Sequence, residues 1–290
     1  MAQNPINWFP GHMAKTRRII KECLKDVDIV IEVCDARIPY SSKNPETDEI
    51  TKGKKRVIAL AKASLADEKT TEEWIKKYKN SDIAAVPIDS PSGYGLSALG
   101  DAVRSSLSDK LEKYKNSGME GRKIRAMVIG IPNVGKSTLI NSLAGAKKAK
   151  AENMPGVTLR KQWVPTSSGL DLLDMPGVLW PKFQDEEVGR NLAFTGAIKD
   201  TVLDTEELAM YLAKKLLETA PDKLFARYKF TEEECAPLDS YDLLSLIGKK
   251  RGFLMSGGEI DLQRTAKMLL NEFRSAEIGR ISLEKPGDRR

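Results

Sequence analysis

Residues 130–137 read Gly130-Ile131-Pro132-Asn133-Val134-Gly135-Lys136-Ser137, a complete phosphate-loop motif of the form G-x-x-x-x-G-K-S. An apolar run over residues 123–131 predicts a strand before it, and the spacing of Leu139, Ile140 and Leu143 predicts a helix after it. Backbone N–H groups of such a turn, together with the helix N-terminus, point at phosphate oxygens. The alternative is a glycine-rich strand-helix turn without a ligand. Motif and context together favour phosphate binding.

A phosphate loop that binds a nucleotide needs a metal and an acidic residue beside it. Lys136 is predicted to reach the β- and γ-phosphates, and Ser137 to hold Mg²⁺ through its hydroxyl. Asp174 ends the apolar run 170–173, and Gly177 follows it, so they are predicted to steer Mg²⁺ and to contact the γ-phosphate. Asp174 could instead be a turn former. Thr158, in a Pro-Gly-Val-Thr segment, could close over Mg²⁺, although that pattern alone is also typical of a turn.

Short apolar runs alternate with helix-like stretches through the first two thirds of the chain. Strands are predicted at residues 28–34, 56–60, 83–88, 123–131 and 170–173, and one amphipathic helix over 98–114. This alternation predicts an α/β fold with a mostly parallel, doubly wound sheet. Beyond about residue 180 the pattern becomes helical, with helices over 205–219, 241–247 (ending at Gly248) and 260–273. We therefore predict two domains, residues 1–180 and 181–290.

Composition excludes several classes of protein. The chain has 290 residues, of which 41% are hydrophobic and 30% charged, typical of a globular protein. No apolar stretch approaches the ~20 residues of a membrane span. Three widely spaced cysteines, and a first segment without the features of a secretory signal, predict a reducing cytoplasm. Because His12 is the single histidine, a serine-type triad and a multi-histidine metal site are excluded.

The order of the nucleotide-binding motifs is unusual. The Asp174-Met175-Pro176-Gly177 segment, placed after the phosphate loop and Thr158, resembles the translation-factor-like branch of GTPases. That branch reads its base with an Asn-Lys-x-Asp motif further downstream, but none follows Gly177. The matching segment lies upstream, at residues 61–64, and residues 88–90 resemble the second base-contacting loop of the branch. The motif order is therefore that of a circularly permuted GTPase.

Three further segments make the resemblance more specific, namely residues 7–13 (NWFPGHM), 35–39 (DARIP) and 189–193 (GRNLA). With them the chain resembles the ribosome-biogenesis GTPase A family (RbgA/YlqF) nearly end to end. The resemblance implies a circularly permuted GTPase domain followed by a small all-helical RNA-binding domain. It also implies GTP/GDP and Mg²⁺ as cofactors, and the large ribosomal subunit with its rRNA as partners. A low intrinsic GTPase rate, stimulated by the ribosome, is expected of a monomer that does not bind membranes.

The resemblance also implies which residues contact the nucleotide and the metals. The metal ligands would be Ser137, Thr158 and Asp174, and Asn133 matches the residue that coordinates K⁺ in potassium-activated relatives, so K⁺ is a candidate cofactor. The implied nucleotide contacts are Ala61, Lys62, Ala63, Ser64, Asp89, Ser90, Asn133, Val134, Gly135, Lys136, Ser137, Thr138 and Gly177.

The expected catalytic set of His12, Lys136, Thr158 and Gly177 has a gap. Many small GTPases carry a glutamine after the switch glycine to orient the attacking water, but Val178 stands there and cannot form a hydrogen bond. His12 is the water-orienting residue that the family suggests, since a neutral imidazole can accept the hydrogen bond of the water. Equally, His12 could be a surface histidine on a mobile arm.

The base-reading segment departs from the family at two positions. Lys62 is present, but Ala61 and Ser64 stand where asparagine and aspartate are expected. Losing the charge-assisted hydrogen bond of the aspartate lowers affinity roughly 10- to 150-fold, so weaker guanine affinity and selectivity are predicted, with backbone groups near Ser90 carrying more of the recognition. Two alternatives to a GTPase switch therefore stay open, an ATP-using enzyme and a nucleotide-binding scaffold of negligible turnover.

Positive charge is placed where an RNA partner could use it. The chain carries 47 Lys and Arg against 41 Asp and Glu, a net charge of +6. One group of cations lies between Lys15 and Lys25, and residues 249–251 are predicted to place three more in a loop between helices. Either group could instead be an ordinary solvated helix face.

Overall fold

Six short apolar segments pair into one sheet in the computed structural model, which describes residues 10–119, 121–145, 163–177, 185–198 and 204–288, with side chains from residue 17 onward. The strand order is β3-β2-β1-β4-β6-β5, and β5 alone runs antiparallel to its neighbour. The strands are β1 (Ile29–Asp35), β2 (Lys55–Ala61), β3 (Ala84–Pro87), β4 (Ile124–Gly130), β5 (Trp163–Pro165) and β6 (Leu170–Asp174). The predicted mostly parallel α/β fold is confirmed.

The strand order has a switch point between the two central strands, β1 and β4. From β1 the chain moves outward to β2 and β3, and from β4 it moves the other way to β6. The direction of strand addition reverses between β1 and β4, which is where ligands bind in open parallel sheets. Strands β1 and β4 are mostly apolar because helices cover both faces of such a sheet, and every residue of β1 is buried.

The helices of the sheet region are α1 (Pro10–Cys23), α2 (Thr47–Ile50), α3 (Glu68–Asn80), α4 (Leu96–Ser106), α5 (Ser108–Asn116) and α6 (Lys136–Ala144). The single helix predicted over 98–114 is wrong, because the structure divides it at Leu107. That residue has φ −112° and ψ 13°, outside the helical region, and its side chain is buried. The apolar spacing of four therefore continues through a break in the helix. The short edge strand β5 was missed; its Pro165 is tolerated because an edge strand leaves N–H groups unpaired.

The second part of the chain is helical, as predicted, and we refer to residues 185–274 as the helical unit. Its helices are α7 (Glu186–Phe194), α8 (Thr205–Thr219), α9 (Pro221–Tyr228), α10 (Glu232–Cys235), α11 (Ser240–Lys250) and α12 (Leu262–Arg274). Asp204, Asp239 and Asp261 cap α8, α11 and α12 by accepting backbone N–H bonds. One cluster of buried apolar side chains runs from the sheet into this unit. The predicted boundary between residues 180 and 181 lies outside the described residues.

Helix α11 does not end at Gly248 as predicted. The helix continues to Lys250 and is followed by Gly252 at φ 70°, which is the left-handed residue that closes a helix. Gly248 is required for another reason, since a Cβ there would lie 2.6 Å from both Ile260 Cγ2 and Thr265 Oγ1. The glycine thus permits close packing of the segment that leads into α12.

The predicted loop of three cations at residues 249–251 is also wrong. Lys249 and Lys250 belong to the last turn of α11, where positive charge favours the helix C-terminus. Lys250 forms an ion pair with Glu234, and Arg251 forms one with the buried Glu272. Two of the three cations therefore hold the helical unit together.

Residues 276–288, here called the return segment, leave α12 and run back across the sheet region. The N–H of Ile281 donates to Leu65 O at 3.1 Å, and the N–H of Leu283 donates to Arg37 O at 2.9 Å. The Trp74 Nε1–H donates to Glu284 O at 3.0 Å. The buried Glu284 carboxylate accepts from the backbone N–H groups of residues 40 and 41 and from the amide of residue 191 in α7. The return segment thus joins three parts of the chain.

Candidate functional site

The phosphate loop begins where β4 ends and leads directly into α6. Gly130 has φ 153° and a Cβ there would lie 2.6 Å from Val33 O, so no other residue fits beside β1. Asn133 and Gly135 also have positive φ, 57° and 112°, and Gly135 is the N-cap of α6. These conformations turn successive backbone N–H groups inward to form an anion-binding concavity. Val134 is buried beneath the loop, whereas Ser137 and Thr138 are exposed.

Lys136 is folded back on the loop that carries it. Its side chain is buried, and its ammonium donates to Ile131 O at 2.7 Å. Burial lowers the pKa of Lys136 from 10.5 to about 8, against the opposing charge of Asp174. Burial likewise raises the pKa of Asp174, against the charge of Lys136. The two predicted phosphate and metal contacts therefore share one desolvated pocket, where an arriving polyphosphate would raise the pKa of the lysine again.

Gly177 lies directly against the phosphate loop. A Cβ at this position would be 2.7 Å from the Pro132 nitrogen and 2.8 Å from the Lys136 ammonium. Only glycine fits without displacing the loop. The structure thus brings Lys136, Asp174 and Gly177 together, as the sequence predicted, and leaves the backbone of residue 177 close to the lysine.

The segment 61–64, here called the base loop, follows β2 and touches the phosphate loop. Lys62 adopts a left-handed conformation with φ 58°. Its ammonium donates to Asn133 O at 3.1 Å and lies 3.1 Å from Asp35 Oδ2. Ala61 is buried, and a Cβ on Gly135 would meet its methyl group at 3.7 Å. The lysine that the sequence singled out therefore bridges the base loop and the phosphate loop.

Asp35, at the end of β1, fixes Lys62 and was not predicted as a site residue. Arg37 holds its carboxylate in a bidentate pair, with Nε–Oδ1 at 2.9 Å and a second nitrogen–Oδ2 distance of 2.8 Å. Burial acts to raise the pKa of Asp35, but the charges of Arg37 and Lys62 hold it well below its usual value. A charged residue at the end of a fully buried strand is the sequence signal that could have identified it.

The residues after β3 form a second loop beside the base loop. The N–H of Ala63 donates to Ile88 O at 3.0 Å. The Ser64 hydroxyl donates to Asp89 Oδ1 at 2.7 Å. Ser142 of α6 donates to Ser90 O at 2.8 Å, a contact that the sequence did not predict. Ser64, Asp89 and Ser90 are thus brought together at the edge where the phosphate loop lies.

Asn133 also connects the phosphate loop to the helical unit. Its side-chain amide donates to Gly196 O and Ala197 O, each at 3.4 Å, just beyond α7. The carbonyls of residues 193 and 194 accept from Arg274 of α12, whose own carbonyl accepts from Arg37 at 3.5 Å. These contacts form a closed ring, because Arg37 holds Asp35, Asp35 contacts Lys62 and Lys62 returns to Asn133.

Three predicted residues lie outside this description. Thr158 and Val178 are not among the described residues, and His12 lies in the first turn of α1 with a side chain that is not described. Within the described ranges, no group of three or more His, Cys, Asp or Glu residues could hold a metal ion. In the same part of the chain, no helix is long and apolar enough to cross a membrane.

The chain is similar to known GTPases over almost its whole length. A family model described as 50S ribosome-binding GTPase matches residues 125–225. The Ribosome biogenesis GTPase A of Priestia megaterium is 46% identical over 284 residues, covering 98% of each chain. A GDP-bound structure of TM YlqF superimposes with a TM-score of 0.68 at 25% identity, covering 93% of this chain and 100% of that one. GNP-bound YlqF from T. maritima gives a TM-score of 0.62 at 26% identity, with 94% and 99% covered.

Proposed function

We propose, because the chain belongs to the family of ribosome biogenesis GTPase A, that this GTPase acts as an assembly factor of the large ribosomal subunit and hydrolyses GTP faster when bound there. The observation that carries the proposal is the phosphate loop, in which buried Lys136 lies beside Asp174 and Gly177. The base loop contacts this loop through Lys62. The protein would thus bind both a guanine nucleotide and the ribosome.

The chain's own residues supply the parts that phosphate binding needs. Lys136 would leave Ile131 O to bind the β- and γ-phosphates, and the backbone N–H of Gly177 would donate to the γ-phosphate. The Ser137 hydroxyl and the Asp174 carboxylate are hard oxygen donors that fit Mg²⁺, with Thr158 as a further ligand. When bound, Mg²⁺ neutralises phosphate charge. Asn133 remains our candidate for K⁺.

We assign orientation of the attacking water to His12, since Val178 cannot form a hydrogen bond. Single-turnover hydrolysis should be measured with and without large ribosomal subunits, for the wild type and His12→Ala. We expect the variant to lose the stimulated rate and to keep nucleotide affinity. Arg18→Ala, on the exposed face of the same helix, controls for loss of ribosome binding. A stimulated rate that survives in His12→Ala would refute the assignment.

The ring of contacts through Asn133 supports coupling between the nucleotide and the helical unit. Movement of the phosphate loop would act on Gly196 O and Ala197 O, and through Arg274 on α12. We propose that the γ-phosphate, through Gly177, biases the orientation of residues 181–290, which we take as the RNA-binding domain after a GTPase domain of residues 1–180. Hydrogen exchange of α8 and α12 should differ between GDP and a non-hydrolysable GTP analogue. Equal protection in both states would refute this coupling.

The helical unit would bind rRNA through phosphate and 2′-hydroxyl contacts rather than base sequence. With Lys250 and Arg251 engaged in ion pairs, exposed Lys249 and Lys267 are the better candidates for these contacts. Affinity for large subunits should fall steeply as the salt concentration rises. The double variant Lys249→Ala, Lys267→Ala should show a smaller slope of log affinity against log salt concentration. Affinity that does not change with salt would contradict RNA contact through phosphates.

Nucleotide competition is the experiment that tests the proposal as a whole. The assay measures displacement of a fluorescent guanine nucleotide by GDP, GTP, ATP and XTP. We expect GDP and GTP to displace it at lower concentrations than ATP. Equal competition by ATP would favour the ATP-using alternative. Phosphate release that large subunits do not stimulate would favour the scaffold alternative. We further propose a cytoplasmic monomer, consistent with Cys23, Cys34 and Cys235, which are all buried and form no disulfide.

A further inference from the structure

The base loop carries no carboxylate, but a carboxylate from the neighbouring loop lies beside it. Ser64 stands where the family's aspartate is expected, and its hydroxyl donates to Asp89 Oδ1 at 2.7 Å. The second oxygen, Asp89 Oδ2, accepts from the Ser92 hydroxyl at 2.7 Å. An aspartate side chain at position 64 would extend one bond beyond the serine hydroxyl. The space it would enter is where the Asp89 carboxylate lies.

Backbone contacts fix the two loops against each other. The N–H of Ile88 donates to Leu60 O at 2.9 Å, and the N–H of Ala63 returns a bond to Ile88 O at 3.0 Å. Asp89 itself donates its N–H to Tyr94 O at 3.0 Å. The carboxylate is therefore attached to a rigid backbone and held by a hydroxyl on each oxygen.

The Asp89 carboxylate is ionised and has acceptor capacity left. Burial acts to raise its pKa, but hydrogen bonds from Ser92 and Ser64 hold the pKa below its usual value. An ionised carboxylate has about four lone-pair sites, of which the two hydroxyls use two. The residue is partly exposed, so the remaining sites are accessible.

We propose that Asp89 supplies the carboxylate that reads the guanine base, with Ser64 as the residue that positions it. The inference rests on the proposed function, since it requires a guanine nucleotide at the phosphate loop. The free acceptor sites of the Asp89 carboxylate suit the N1–H and the 2-amino group of guanine, two adjacent donors that adenine does not offer. The Ser90 carbonyl is less suited to this task because it already accepts from Ser142. The missing aspartate of the base loop is thus replaced by a residue of the next loop.

The test compares dissociation constants of GDP, XDP, IDP and ADP for the full chain and five variants. Asp89→Asn should lower the affinity for GDP roughly 10- to 150-fold, the size expected for the loss of a charge-assisted hydrogen bond. The same variant should bind XDP better than the wild type does, because the asparagine amide can donate to the 2-carbonyl of xanthine. Ser64→Asp combined with Asp89→Asn returns a carboxylate to the base loop and should restore GDP affinity. Ser64→Asp alone should not improve it, because two carboxylates would face each other.

Asp82→Asn is the matched control, since Asp82 is exposed and lies before β3 as Asp89 lies after it. We expect it to change no nucleotide affinity. A GDP-to-XDP ratio that Asp89→Asn leaves at the wild-type value would overturn the inference. If that variant does not fold, the wild type still decides, because equal affinity for GDP and IDP would show that no carboxylate reads the 2-amino group. Failure of the proposed function is a different result, namely GDP binding that is absent or insensitive to Lys136→Met.

Discussion

Lys136→Met should stabilise the protein in the absence of nucleotide and abolish its response to GDP. Lys136 is 7% exposed, and burial lowers its pKa from 10.5 to about 8. Methionine has a similar length and no charge, so it can occupy the same pocket without the desolvation penalty.

The expected magnitude follows from the pKa. A pKa lowered from 10.5 to about 8 corresponds to roughly 3 kcal/mol of unfavourable free energy for the charged form. The substitution also removes the hydrogen bond to Ile131 O, and this loss offsets about 1 kcal/mol of the stabilisation. We therefore expect a net gain of about 2 kcal/mol in the free energy of unfolding at pH 7.

Urea unfolding with and without GDP measures the effect. Saturating GDP at about 100 times its dissociation constant should stabilise the wild type by about 2.7 kcal/mol and leave Lys136→Met unchanged, so the order of stability reverses. Because the folded-state pKa is below the unfolded one, the penalty is present in full below about pH 8 and is relieved as the pH rises towards 10.5. The wild type should therefore approach the variant in stability over that interval.

Lys69→Met, at an exposed position in the first turn of α3, is the control and should change neither stability nor GDP response. A Lys136→Met variant that is less stable than the wild type without nucleotide would refute the reasoning. It would mean that the hydrogen bond and the charge of Asp174 outweigh the cost of burial.

Three further substitutions test the packing around the site by urea unfolding. Arg37→Met should lower stability by about 3–5 kcal/mol, because Asp35 loses its bidentate partner while buried, and a loss below 1 kcal/mol would contradict that role. Glu284→Ala should cost about 2–4 kcal/mol, since it leaves the donors of the loop after β1 unpaired, and unchanged stability would mean that water satisfies them. Gly248→Ala should destabilise the protein by about 1 kcal/mol, because overpacking against Thr265 costs more than the gain in helix propensity. A more stable variant would show that α12 shifts at little cost to make room for the methyl group.

The parts of the site that a local motif defines could be predicted from the sequence. Lys136 follows from the spacing of one strand, turn and helix, and Asp174 and Gly177 follow from the end of a second apolar run. The structure places the three together. Asp35 and Ser142 lie outside these motifs, because each contacts a segment distant in the chain, Lys62 and Ser90 respectively. Ser92 contacts the nearby Asp89, but no motif distinguishes it from an ordinary turn serine. Apolar spacing carries no information about where the backbone leaves the helical region, so the sequence does not predict the break at Leu107. Gly248 was misjudged because glycine permits both a helix end and close packing.

The return segment has a consequence for the order in which the protein is made. Arg280 donates to Ala66 O and Ala63 O, contacts that span 214 and 217 residues of chain. The base loop therefore leaves the translating ribosome long before the residues that hold it are synthesised. Contacts of such large sequence separation form late in folding. A nascent chain that already contains every nucleotide-binding motif still lacks these contacts, so we expect it to acquire guanine discrimination only after Arg280 has docked against the base loop.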